Sequence, residues 1–159
     1  MPVLDIESIE VRRHDLEVVV RVLDLAYLRT SATPGLVDRA AGLLPGLARH
    51  SCENDDGRDF LREIRDTETP HLLEHVTCEL MALAGSPRSL RGDTSWDFAR
   101  DGRGVFRVRI EFDDDLVALG ALQEGAEIVD WLLRGDGEHP DLDEVVARLR
   151  GLRTREPRQ

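Results

Sequence analysis

No lysine occurs anywhere in the 159 residues, so all 21 basic side chains are arginine, set against 32 aspartates and glutamates. The formal net charge of −11 gives an acidic surface that repels polyphosphate, so nucleic acid is not an expected partner. A cationic peptide or an arginine-bearing polymer would be drawn to the same field. Cysteine is nearly missing: Cys52 and Cys78 are the only two, too few for a disulfide framework and in keeping with a reducing cytoplasm. No signal-like apolar stretch precedes them, and no apolar run approaches the roughly 20 residues of a membrane span. The expectation is a cytoplasmic protein without a membrane partner, with room for a homo-oligomer. Internal repeats and low-complexity segments are also absent.

What is present fits a single domain over residues 1–159, with an arginine-rich tail from about 152. A chain of this length buries roughly two-thirds of the surface it exposes when unfolded. Leu4 to Val11 leans towards strand, and Leu16, Val18, Val20 and Val22 alternate with Glu17, Val19 and Arg21, the pattern of a sheet with one covered face. A hairpin about His14-Asp15 would join them. Thr33-Pro34-Gly35 opens a helix whose apolar residues run to Leu47 and which Pro45 kinks or ends. A polar loop from Ser51 to Gly57 and a short helix over Gly57 to Asp66 follow, the latter burying Phe60, Leu61 and Ile64. Further on, Ser89 to Phe98 reads as a strand, and Phe106, Val108, Ile110 and Phe112 alternate with charged residues as a second one. Helices are expected over Leu116 to Leu133 and Pro140 to Leu152. Paired strands and paired helices, rather than strict alternation, predict an α+β fold: a mainly antiparallel sheet with helices packed on one face.

The informative element is the helix from about His71 to Ala84, with Thr69-Pro70 as cap and first residue, closed by Gly85 and Pro87. At about 100° per residue, Leu72, Leu73, Val76, Leu80, Leu83 and Ala84 share one side, while His71, Glu74, His75, Cys78, Glu79 and Ala82 share the other. Histidines four apart lie one turn from each other and can converge on one Zn²⁺. A glutamate just before the second stands where it can take a proton from water. His71-Leu72-Leu73-Glu74-His75 is the H-x-x-E-H arrangement of the inverzincins, with both histidines as ligands and the glutamate as general base. The third ligand is open: Glu79 lies on the same face but about 12 Å along the axis from His71, so it either ligates or orients a ligand. Asp93, Asp97 and Glu111 are alternatives, and Cys78 reads as a small neighbour of the site more readily than as a thiolate ligand.

Several separated blocks carry a resemblance: Pro34-Gly35, Leu43-Leu44-Pro45-Gly46-Leu47 with His50 and Cys52 after it, Gly57 to Leu61, His71 through Leu80, Leu83-Ala84-Gly85, and Val105 to Phe112. Together, over about residues 33–133, they resemble the N-terminal domain of cyanophycin synthetases. The resemblance implies an α+β domain that touches cyanophycin, a poly-aspartate chain with arginine on each side-chain carboxyl, and that in some members is a zinc-dependent hydrolase cutting the polymer. His71, Glu74, His75 and Glu79 match the family's motif, which makes His71, His75 and Glu79 the implied zinc ligands and Glu74 the base.

Two departures shape the expectation. The chain stops near where the ATP-grasp and ligase domains of a synthetase would begin, so polymer degradation is the expected direction. The family's Gly-Arg-Thr-Arg segment is here Gly92-Asp93-Thr94-Ser95, exchanging positive for polar and acidic side chains. The expected activity is therefore zinc-dependent endo-hydrolysis of cyanophycin or a related arginine-bearing peptide. The alternatives are a non-catalytic polymer-binding module and a metalloprotease of ordinary peptides. Carboxylates suited to a guanidinium are Glu53, Asp55 and Asp56, and Asp93 or Asp97.

Overall fold

The computed structural model describes residues 1–51 and 59–153. Its frame is a four-stranded antiparallel sheet in the order β1-β2-β4-β3, made of Leu4–Val11 (β1), Asp15–Val22 (β2), Gly92–Ser95 (β3) and Val105–Glu111 (β4). The β1–β2 turn closes where the Arg12 N–H donates to the Asp15 carbonyl at 2.9 Å. Pairing sets Leu16 opposite Ile110, Val18 opposite Val108 and Val20 opposite Phe106. The alternating apolar residues of both strands thus form one buried face, while Glu17, Arg21, Arg107 and Arg109 occupy the other.

Among the described residues six α-helices accompany the sheet: Leu36–Leu43 (α1), Phe60–Glu63 (α2), Thr69–Leu83 (α3), Phe98–Asp101 (α4), Asp115–Arg134 (α5) and Leu142–Leu152 (α6). The helices α3 and α5 pack against each other and against the sheet, and α6 lies on α5. Leu72, Leu73, Val76 and Leu80 of α3 are buried beside Val117, Ala121, Leu122 and Val129 of α5. Each such side chain contributes about 1.5–3 kcal/mol by leaving water. The Asp114 carboxylate caps α5 by accepting from the Leu116 and Val117 N–H groups, and Gly135 at φ 68° ends it in the left-handed conformation that glycine tolerates. The α+β architecture expected from the pattern is the one observed.

Several boundaries differ from expectation. Among the described residues the short helix expected over Gly57 to Asp66 is Phe60–Glu63, and the last helix begins at Leu142. Two further differences bear on the site. The cap of α3 is Glu68, so Thr69 and Pro70 are its first two residues. Thr69 is drawn away from capping by tertiary bonds, its hydroxyl donating to the Tyr27 carbonyl at 2.5 Å and its N–H to the Leu28 carbonyl at 2.9 Å. The strand expected over Ser89 to Phe98 is only Gly92–Ser95. Asp97 stops it by accepting from the Arg100 N–H as the cap of α4. Pro45 ends α1 and opens a 3₁₀ turn, Pro45–Arg49, which sets His50 beside α3.

Candidate metal centre

The edge strand β3 and the adjoining end of α3 form the walls of a cavity of about 640 Å³. The register of β3 on β4 decides which of its side chains face the helix. Gly92 sits opposite Ile110 and Thr94 opposite Val108, on the buried face, whereas Asp93 sits opposite Arg109 on the other. On α3, the side that reads as polar is largely closed off: Glu74, His75 and Glu79 are 5%, 7% and 1% exposed. Burying such groups requires partners, and each has them.

His71, Glu74 and His75 each offer a ligating atom, and these atoms lie within 4.8 Å of one another, a grouping that could hold a metal ion. The two imidazoles meet nearly edge to face, with centroids 4.8 Å apart. Phe60 of α2 stacks on His75 at 3.7 Å and meets His71 edge-on at 5.3 Å, which holds both rings in orientation. Glu74 Oε2 is 3.5 Å from His75 Nε2, and its other oxygen accepts from the Thr94 hydroxyl at 2.7 Å. Gly92 makes room for this carboxylate: a Cβ there would lie 2.7 Å from Glu74 Cγ and 2.8 Å from Oε2.

The electrostatics follow from the burial. Desolvation, with a further push from Asp93, raises the Glu74 carboxyl to about 7 against the pull of Thr94 and Arg109. Desolvation also holds the His75 imidazole neutral, reinforced by His71 and His50. Neutral imidazole is the form that binds a metal, and a cation seated beside Glu74 would favour its charged form. Desolvation pushes the Cys78 thiol up to about 12, so this residue lines the cavity as a thiol.

Glu79, the implied third ligand, lies outside the His71, Glu74 and His75 grouping. Its carboxylate accepts from Arg88 at 2.7 and 3.2 Å and contacts His50 Nε2 at 2.8 Å. Burial raises this carboxyl, but the bonds from His50 and Arg88 outweigh burial and hold it below the usual carboxylate value. The alternatives have other occupations as well. Asp97 caps α4, Glu111 accepts from the Arg91 N–H at 2.7 Å, and Asp93 lines the cavity rim opposite Arg109. Glu53, Asp55 and Asp56 lie outside the described residues. The residue patterns missed His50, Thr67, Arg88, Gly92 and Thr94 as parts of the site. Their advance signals came from the family resemblance alone: His50 followed one of its blocks, and Gly92 and Thr94 lay in the segment that replaces the family's Gly-Arg-Thr-Arg.

Comparison with known proteins gives the site its context. Residues 17–134 match the model of the cyanophycin synthase-like N-terminal domain, which is most of the chain. The chain belongs to that family. A cyanophycin synthetase of Geminocystis herdmanii (strain PCC 6308) is 32% identical over 111 residues, covering 62% of this chain and 13% of the synthetase. This member of the cyanophycin synthase-like N-terminal family therefore corresponds to a small part of that relative's length. Among the described residues no helix is long and apolar enough to cross a membrane.

Proposed function

We propose that this domain is a zinc-dependent endo-hydrolase that cleaves the backbone of cyanophycin or of a closely related arginine-bearing peptide. The observation that carries the reading is the convergence of His71, Glu74 and His75 atoms within 4.8 Å, at a large cavity, in a chain of a cyanophycin-associated family. Two imidazoles one helical turn apart are ligands suited to Zn²⁺, with the Glu74 carboxylate beside them rather than among them, and Glu79 is read as supporting them from outside the cluster. When bound, the cation supplies a Lewis acid that makes water nucleophilic at neutral pH.

The chain's own residues supply the rest. His71 and His75 hold the cation. Glu74 takes the proton of the attacking water and hands it to the leaving amide nitrogen, while Thr94 fixes the carboxylate by its second oxygen. The cavity walls carry Arg49, Arg91 and Arg109 along with Glu63, Glu68 and Asp93. Mixed charge of this kind suits a polymer whose every side chain presents both a guanidinium and a carboxylate.

Metal analysis of the purified protein, combined with incubation on cyanophycin and on plain poly-aspartate, tests the proposal. It predicts near one zinc per chain, shortening of cyanophycin and little action on poly-aspartate. His71→Ala or His75→Ala should lose both metal and cleavage. Binding of the polymer without metal and without shortening would make the domain a binding module instead. Equal cleavage of an ordinary peptide would make it a general metalloprotease.

A further inference from the structure

Among the described residues Trp96 is the one aromatic side chain in the set of exposed large apolar groups, 47% open to water, and of that set it alone lines the cavity beside α3. A lone exposed apolar side chain is ordinary, but this one is placed by the strand that serves Glu74. Gly92 and Thr94 occupy the face of β3 turned to α3, where Gly92 leaves room for the Glu74 carboxylate and the Thr94 hydroxyl donates to it at 2.7 Å. Trp96 is the next residue on that face, about 7 Å beyond Thr94 at the rise of a strand. The same register, one step past Ser95 opposite Arg107, brings Trp96 to Phe106, and the two ring centroids are 5.4 Å apart.

The indole is held from behind and open in front. Phe98 lies 6.4 Å from Trp96 and meets Phe106 edge-on at 5.4 Å, so the three rings form one cluster anchored on the fully buried Phe106. Asp97, between Trp96 and Phe98, is fixed as the cap of α4 by the Arg100 N–H at 3.2 Å. A side chain ordered in advance loses little freedom when a ligand settles on it. The face of an indole attracts cations, and a planar guanidinium can lie flat against it. Asp93 of the same strand lines the same cavity, while its register partner Arg109 bonds to Asp15 at 3.3 Å. A guanidinium lying on a ring directs its N–H groups outward in its own plane, where a carboxylate accepts them.

We propose that Trp96 is a specificity-determining residue of the cavity: its indole is the platform on which a guanidinium from a substrate side chain stacks while the neighbouring backbone amide lies at Glu74. The inference rests on the hydrolase reading of the site and gives it a discriminating contact. Selection is for a planar cation on a long side chain, over an uncharged or apolar group of the same size.

The first test is a titration followed by NMR. The chain has two tryptophans, Trp96 and Trp131, so their indole N–H signals are told apart with Trp96→Phe. The dipeptide of aspartate bearing arginine on its side-chain carboxyl should move the Trp96 signal, leave that of Trp131 in place and show its own arginine Cδ protons shifted upfield by the ring. The same dipeptide with citrulline for arginine, equal in shape but uncharged, should bind about 2- to 30-fold more weakly, the worth of a cation on an aromatic face. An unmoved Trp96 signal overturns the proposal. Equal binding of the citrulline form does so too, as does tighter binding of a phenylalanine form, which would make this an apolar subsite. The second test is kinetic. Trp96→Leu should raise KM for cyanophycin by about 2- to 30-fold with a smaller effect on kcat, and Trp96→Phe, which keeps a ring, should recover part of the loss. An unmoved KM, or a Phe variant no better than Leu, overturns the platform. Because the titration needs no cleavage, arginine dipeptide seated on Trp96 in a protein that does not cut cyanophycin refutes the hydrolase alone. Cutting with an unmoved Trp96 signal refutes the platform alone.

Discussion

Glu74 is a carboxyl whose surroundings oppose its charge. Burial lifts it from an ordinary 4.5 to about 7, so in metal-free protein the folded state binds more protons than the unfolded state between those values. Stability must then fall as pH rises through that window and level off above it. Urea unfolding in the presence of a chelator should show the parent protein losing, relative to Glu74→Gln, on the order of 3 kcal/mol between about pH 4.5 and 7. Parallel curves for the two proteins would mean that Glu74 is charged or solvated without metal. Gly92 provides a second test at this scale, because an added Cβ would meet Glu74 Cγ at 2.7 Å. Gly92→Ala should retain zinc and melting temperature yet lose on the order of 10²-fold in kcat, the cost of misplacing a catalytic group by about an ångström. Unchanged kcat would show that the position of this carboxylate does not matter.

At the scale of elements, α3 decides the molecule, because it is buried on both sides. Its apolar side was legible in the spacing of Leu72, Leu73, Val76 and Leu80, and its chemical side in the H-x-x-E-H order. Those patterns did not reveal that the chemical side is itself covered, by the edge strand, by Phe60 and by the turn that delivers His50. These contacts join residues 11 to 29 positions apart, from Phe60 with His71 to His50 with Glu79, and local periodicity holds no record of them. The cap of α3 was misplaced for the same reason, since Thr69 bonds to Tyr27 and Leu28 rather than to its own helix. The Thr77 hydroxyl, buried where α3 meets Gly125 of α5, has no hydrogen-bond partner among the described residues. Replacing an orphaned hydroxyl with a methyl of the same shape removes its desolvation cost. Thr77→Val should stabilise the protein by about 1 kcal/mol, visible as a higher melting temperature, and a clear drop would reveal an undetected partner for this hydroxyl.

For the molecule as a whole, fold class and strand alternation could be read in advance because one face of the sheet is buried and the other is not. The short β3 could not, because Asp97 turns the chain into α4 within two residues of Ser95. Cyanophycin carries a guanidinium and a carboxylate on each side chain, so its attraction to this acidic domain is local pairing of guanidinium with carboxylate, which salt screens. KM for cyanophycin should therefore rise with salt, and Asp93→Asn at the cavity rim should raise KM and flatten that dependence. A KM indifferent to both would remove Asp93 from substrate recognition. The central claim is that Glu74 is the base of a metal-dependent hydrolysis, and it is tested most directly by comparing cyanophycin cleavage by the intact parent protein and by Glu74→Gln at equal, measured zinc content. The account predicts a variant that is folded and zinc-loaded yet slower by about 10²- to 10⁴-fold; cleavage at the parent rate would contradict it.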